Sequence, residues 1–286
     1  EKAAKEMGYV GNAAAKELRT GESRNIALIL DDIINPHFSI LADEISMYAF
    51  ELGYNVIVYT TSGLAERENR AILSALGRGV AGLIICPTKN SLENVDFLKK
   101  VGVPFILMER TYEKFKDCSY VVYDETRIGV IAADWLIMNG HNKILTIMTD
   151  ECDSFYKQRV SGIIQAHRNL GLNYKDENIF YLPSNFRSQY RELKSIIKNN
   201  ISEYTAVICY NDIIAMQTAD ISEKDVVIFG FGNIGKKLNI KQNFYTIDTE
   251  RSDISICVFD ELLKLIKNEE KIVRTVLPVK LIGLQR

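Results

Sequence analysis

Short, wholly apolar runs alternate along this chain with longer stretches whose apolar residues recur three and four positions apart. The first run, Ile26-Ala27-Leu28-Ile29-Leu30, reads as a buried strand. After Asp31-Asp32 and Asn35-Pro36 a helix is predicted, with Ile40, Leu41, Ile45, Ala49 and Leu52 near one face and Gly53 as its stop. The strand Asn55–Tyr59, a helix over Glu66–Leu76, the strand Gly82–Ile85, a helix over Ser91–Val101 and the strand Pro104–Leu107 follow. Strands separated by helices of this length predict right-handed βαβ units on a parallel sheet.

The rhythm then starts again. A helix over Ile128–Met138 precedes the strand Lys143–Ile147, and a helix over Gln158–Leu170 carries Val160, Ile163, Ile164 and His167 at helical spacing. Further strands are read at Ile179–Tyr181, Ala206–Cys209 and Val226–Phe229. A late helix over Ser252–Ile266 and one strand over Val276–Leu281 close the pattern. The fold class is therefore α/β, with two doubly wound parallel-sheet lobes and no Pro/Gly/Ser-rich linker between them. Ligands of such sheets sit outside the carboxyl ends of the strands, and two lobes offer a cleft there.

Length and composition agree with that picture. The chain has 286 residues, is 47% hydrophobic and 25% charged, and carries a formal net charge of −2. This excludes a nucleic-acid coat, and no apolar run approaches the roughly 20 residues of a membrane span. The opening residues, Glu1-Lys2-Ala3-Ala4-Lys5-Glu6, are helical and charged without the apolar centre of a signal peptide, and the start inside a helix reads as a fragment. The five cysteines form no C-x-x-C pair; they read as reduced buried thiols of a cytosolic protein. No catalytic triad, nucleophile elbow or metal spacing is present, so no cofactor and no enzyme activity is expected. One motif points the other way. Gly230-Phe231-Gly232-Asn233-Ile234-Gly235 spells a dinucleotide-binding fingerprint after a strand, with Asp248 about 20 residues on. The segment behind it, Lys236–Lys241, lacks the long amphipathic pattern of a phosphate-capping helix, which favours an ordinary turn.

Several segments together resemble the LacI-type bacterial transcription repressors. They are Gly8–Arg19, Ile26–Leu30 with Asn35-Pro36-His37-Phe38, Gly102-Val103-Pro104 with Arg110, Asp124, Gly140–Ile144, Arg159 with Gly162, Asn211-Asp212, and Gly230-Phe231. The resemblance implies a type I periplasmic-binding-protein-like core of two lobes joined by three crossovers, with the helix-turn-helix missing from this chain. The crossovers are expected near Asp124, near Asp248–Glu250 and near Lys271–Arg274. Residues 1–23 would then be the end of the headpiece and the hinge helix, 24–124 with 250–271 the first lobe, and 125–249 with 272–286 the second. The first lobe would take the late helix and the second the final strand.

The resemblance also implies roles. In the hinge, Leu18 would wedge into the minor groove of operator DNA beside Ala15 and Lys16, with the helix running from Asn12. Gly11 stands where the family usually has proline. For the effector, His37 and Phe38 would come from the first lobe and Arg159 and Asn211 from the second, with Asp212 nearby in support. Gly232 stands where sugar-binding members carry an aspartate, and the Gly-Phe-Gly-Asn form is similar to trehalose-class repressors, which implies a phosphorylated disaccharide held by Arg159, His37 and Lys157. The expectation is a cytoplasmic, homodimeric regulator that senses a sugar or sugar phosphate and makes no membrane contact. A periplasmic-type sugar-binding protein and an NAD-dependent enzyme resting on Gly230–Gly235 are the rival readings.

Overall fold

The computed structural model describes residues 23–149, 155–183, 186–239, 243–248 and 251–282. The hinge residues Asn12, Ala15, Lys16 and Leu18 lie outside the described residues. Within them the chain builds two six-stranded sheets. The first contains β1 (Asn25–Leu30), β2 (Asn55–Thr60), β3 (Gly82–Ile85), β4 (Phe105–Met108), β5 (Tyr120–Tyr123) and β11 (Arg274–Leu277), in the order β11-β5-β4-β3-β1-β2. The second contains β6 (Ile144–Thr149), β7 (Ile179–Leu182), β8 (Ala206–Cys209), β9 (Val227–Phe231), β10 (Tyr245–Asp248) and β12 (Lys280–Ile282), in the order β12-β10-β9-β8-β6-β7. All pairings in the first sheet are parallel; in the second only β12 on β10 is antiparallel.

The helices that follow these strands are α1 (Pro36–Glu51), α2 (Ala65–Gly77), α3 (Leu92–Val101), α4 (Glu125–Met138), α5 (Phe155–Asn169), α6 (Phe186–Asn200), α7 (Asp212–Ile221), α8 (Ile234–Leu238) and α9 (Arg251–Ile266). Strand alternation divides the first lobe into two layers. Ile26, Leu28, Leu30, Ile84 and Ile106 pack toward Leu41 and Ile45 of α1 and Val258 and Leu262 of α9. Ala27, Ile29, Leu83, Ile85 and Leu107 pack toward Ile72 of α2 and Leu98 of α3. Because both faces are covered, the central strands are apolar throughout, which is why they are readable as continuous runs. Leu52, expected on the buried face of α1, instead caps that helix and is exposed.

The late helix α9 packs against the first sheet and α1. The Tyr48 hydroxyl donates to Asp260 Oδ1 at 2.8 Å and Ser255 Oγ donates to Glu44 Oε2 at 2.9 Å, tying α9 to α1. The single strand expected over 276–281 is two strands, and this moves the last crossover. Residues 274–277 extend the first sheet beside β5, and residues 280–282 extend the second beside β10. The change of sheet falls at Pro278-Val279, after the expected position near 271–274, because proline has no N–H with which to continue a ladder.

Candidate functional site

Residues from both sheets converge where the strands end. In the first lobe Asn35 caps α1, its Oδ1 accepting the His37 N–H at 3.1 Å, and this turn sets His37 at the mouth of the sheet. The His37 imidazole Nε2 lies 2.7 Å from Glu109 Oε2. Glu109 follows β4 in a tight turn with φ +69°, where the Arg110 N–H donates back to the Met108 carbonyl at 2.7 Å. A non-glycine residue in such a turn is strained, and strain of this kind persists where neighbours over-determine it. Here the turn sends adjacent side chains to separate partners: Glu109 to His37, and Arg110 to the Asp31 carboxylate at the end of β1. A second bracket lies beneath. The buried Glu68 carboxylate accepts the Thr88 N–H at 2.7 Å and Asn94 Nδ2 at 2.8 Å, which fixes the loop after β3.

The second lobe begins as β5 ends. Asp124 caps α4, accepting the Arg127 N–H at 2.9 Å, so Glu125 enters the first turn at the interlobe crossover. Helices α4 and α5 touch backbone to backbone at two glycines. A β-carbon on Gly129 would collide with the Arg159 carbonyl oxygen, and one on Gly162 with the Thr126 carbonyl oxygen. This close crossing brings Arg159 against Glu125, with Nε at 2.7 Å and a terminal nitrogen at 2.6 Å from Oε2. The guanidinium also donates to the Tyr210 carbonyl at 2.6 Å and lies 4.2 Å over the Phe231 ring. Burial pushes the Glu125 carboxyl up to about 7 despite the attraction of Arg159, and the Glu109 and Asp124 charges push in the same direction. Glu109 of the first lobe thus acts electrostatically on Glu125 of the second.

The expected effector residues separate into two groups. His37 and Asn211 sit part-exposed at strand ends, and Asn211 caps α7 by accepting the Ile214 N–H at 2.9 Å. Phe38 is 7% exposed and belongs to the core, meeting the His37 ring edge-on at 5.0 Å. Arg159 is 4% exposed and held by the protein groups just named. Asp212, expected beside the ligand, has no exposed surface. Its carboxylate accepts the Ile234 N–H at 2.7 Å and the Thr246 hydroxyl at 2.7 Å, so it clasps the turn after β9 to strand β10.

That clasp also settles the glycine motif. A β-carbon on Gly230 would strike the Asp212 carboxylate, and the first amide of the five-residue α8 is already bound to it. The glycine makes room for an aspartate, which takes the amide that a pyrophosphate would meet first. Asp248, the candidate ribose acid, accepts from Asn233 Nδ2 at 2.9 Å.

Sequence reasoning passed over Glu109, Glu125 and Tyr210, and it noted Phe231 only within the glycine motif and the family resemblance, without a site role. The signal for Glu109 was present as Glu-Arg directly after a buried strand; Tyr210 serves through its carbonyl, which no side-chain pattern reveals. Cys86, Cys118 and Cys209 are buried as expected, whereas Cys257 is only half-buried, and burial pushes the Cys209 thiol up to about 12. His167 is buried, its Nδ1 2.8 Å from the Ile163 carbonyl, and burial lowers its pKa. Among the described residues no helix is long and apolar enough to cross a membrane, and no group of three His, Cys, Asp or Glu is placed to hold a metal.

Comparison with known proteins gives a consistent result. Residues 23–284 match the model of a family described as periplasmic binding proteins and the sugar-binding domain of the LacI family. The arabinose metabolism transcriptional repressor of Halalkalibacterium halodurans is 25% identical over 267 residues, covering 87% of this chain and 70% of that protein. The transcription regulator CcpA of Lactococcus lactis superposes with a TM-score of 0.81 at 18% identity, covering 92% of this chain and 98% of that one. A LacI family regulator from Enterococcus faecium with bound ribose superposes at 0.74 with 23% identity, covering 91% and 97%.

Proposed function

Since this chain belongs to the family of periplasmic binding proteins and LacI-type sugar-binding domains, with a transcriptional repressor among its relatives, we propose that it senses a neutral sugar between its two lobes and thereby governs operator DNA binding by a homodimer. It is the effector-binding core of a LacI-type regulator and not an enzyme. The observation that carries the choice of a neutral ligand is charge pairing at the strand ends. Among the described residues three basic side chains there already face carboxylates: Arg110 faces Asp31, His37 faces Glu109, and Arg159 faces Glu125. A phosphorylated disaccharide would have to displace one of these buried carboxylates, or add its own charge beside them. Hydroxyl groups can instead join the network as both donors and acceptors. The pentose in the Enterococcus faecium structure and the arabinose in the name of the Halalkalibacterium halodurans repressor support the same class.

The test is a thermal-shift panel of ribose, arabinose, xylulose, trehalose, their phosphates and NAD. A ligand at 100 times its Kd adds about 2.7 kcal/mol of stability, or about 4–5 °C for a chain of this size. A free sugar is expected to give that shift. A response to a phosphate ester or to NAD alone would remove this reading.

The dimer has its own support. Met47 and Phe50 stand three apart on α1 and are 63% and 79% exposed, while Val58 on the neighbouring edge strand β2 and Leu73 on α2 are also exposed. A patch of this kind on an edge strand and its flanking helix favours a second copy as its cover. Phe50→Glu is expected to weaken dimerisation at least about 100-fold, because it desolvates a charge at the centre of the patch. Sedimentation velocity of wild type and variant reads this directly, and an F50E chain as dimeric as the wild type argues against this face. In the dimer the sugar acts only through its different affinity for the two lobe arrangements, which decide whether both hinge helices meet one operator. Free cysteines in the core suit a cytoplasmic site of action.

A further inference from the structure

The loop after β9 begins with Gly232, which offers no side-chain acceptor to a ligand. The next residue, Asn233, is held on every side but one. Its backbone is left-handed, with φ 47° and ψ 42°. Its N–H donates to Thr246 Oγ1 at 3.1 Å, and the following amide is bound by Asp212. Its Nδ2 donates to Asp248 Oδ2 at 2.9 Å. An ionised carboxylate only accepts, so Asp248 dictates which end of the carboxamide faces it. The other end, Oδ1, takes no hydrogen bond from any described residue, in a side chain that is 7% exposed. At the end of the adjacent strand β8 the arrangement is reversed: Asn211 uses its Oδ1 on the Ile214 N–H, and its amide nitrogen donates to no described residue. Neighbouring strand ends therefore offer one uncharged donor and one uncharged acceptor, the pair that a hydroxyl requires.

We infer that Asn233 is a specificity-determining residue whose Oδ1 accepts a hydrogen bond from one hydroxyl of the effector. The inference rests on the reading of the cleft as a neutral-sugar site. A bonded, uncharged acceptor rejects a ligand that lacks the matching hydroxyl, because desolvation of the amide oxygen is then not repaid by a hydrogen bond.

Glycine is the substitution that separates this role from a merely conformational one, since it adopts the left-handed region without a side chain. Wild type and Asn233→Gly are titrated calorimetrically with D-ribose, L-arabinose and the monodeoxy forms of each. The wild type is expected to lose about tenfold or more in affinity when one particular hydroxyl is missing. In N233G the parent sugar binds about tenfold more weakly, and discrimination at that one hydroxyl falls to within about twofold while the other positions keep theirs. If N233G keeps the wild-type discrimination at every hydroxyl, Asn233 is a turn residue and the inference is overturned, with the sugar reading intact. If the wild type binds no free sugar, xylulose and trehalose included, both are overturned.

Discussion

Gly129→Ala and Gly162→Ala are each expected to destabilise the second lobe by about 3 kcal/mol, at the upper end of what overpacking costs. The obstacle at each position is a backbone carbonyl: that of Arg159 for Gly129 and that of Thr126 for Gly162. Neither can swing aside as a side chain would, so the helices α4 and α5 must separate. Ile163 N at 3.0 Å from the new β-carbon of Gly129, and Val130 N at 3.0 Å from that of Gly162, close the remaining directions of escape. Separation also pulls Glu125 from Arg159, so stability and ligand binding should fall together. Gly77→Ala is the control. It ends α2 with nothing within 4 Å of the added carbon, and its effect should stay within about 0.5 kcal/mol. Urea midpoints measure all three. Equal midpoints for G129A and G77A would show that the helix crossing is looser than drawn.

Arg159→Met is expected to cost about 3–5 kcal/mol, the usual penalty for removing one member of a buried ion pair. Methionine keeps much of the volume against Phe231, so the loss isolates the charge. Its pH dependence has a definite sign. In the wild type the Glu125 carboxyl already sits at about 7 in the folded chain, above its ordinary value of 4.5. A raised folded pKa contributes stability that is present below the unfolded pKa and is lost as pH rises through the folded one. Removing Arg159 takes away the main influence holding this pKa down, so it rises further. R159M should therefore be closest to wild type near pH 5 and furthest from it at pH 8. Denaturation at the two pH values checks this; a pH-independent loss would mean that packing, not charge, dominates at Arg159. Sugar binding should be lost in the same variant, since Arg159 sets the positions of Tyr210 and Phe231 at two strand ends.

Much of this architecture is legible in the chain because parallel strands buried on both faces are apolar runs. Gly82–Ile85 and Ala206–Cys209 are of that kind, and both are read at their observed limits. What escapes the pattern has polar residues in the core for tertiary reasons. Strand β10 contains Thr246, buried because its hydroxyl meets Asp212 far along the sequence. Helix α6 buries Leu193, Ile196 and Ile197 beneath a largely polar sequence, and β5 is only Tyr-Val-Val-Tyr between polar turns. The site divides in the same way. The positions of His37 and Asn211 at strand ends follow from local punctuation by Asn-Pro and by Asn-Asp. Whether the neighbouring Asp212 faces a ligand or a backbone amide depends on where Ile234 lies, and local sequence does not encode that. Glu109 is similar, for its tight turn is sensible only once His37 stands opposite.

The path of the last residues has a practical consequence. Between Leu277 and Lys280 the chain leaves one sheet and joins the other, so a single short terminal segment supplies an outer strand to each lobe. Neither lobe is then a contiguous stretch that a gene fragment could encode, and cutting after β5 would leave the first without α9 and β11. Shortening the chain back to Arg274 would strip both sheets at once, laying bare the backbone edges of β5 and β10 as templates on which other chains could polymerise.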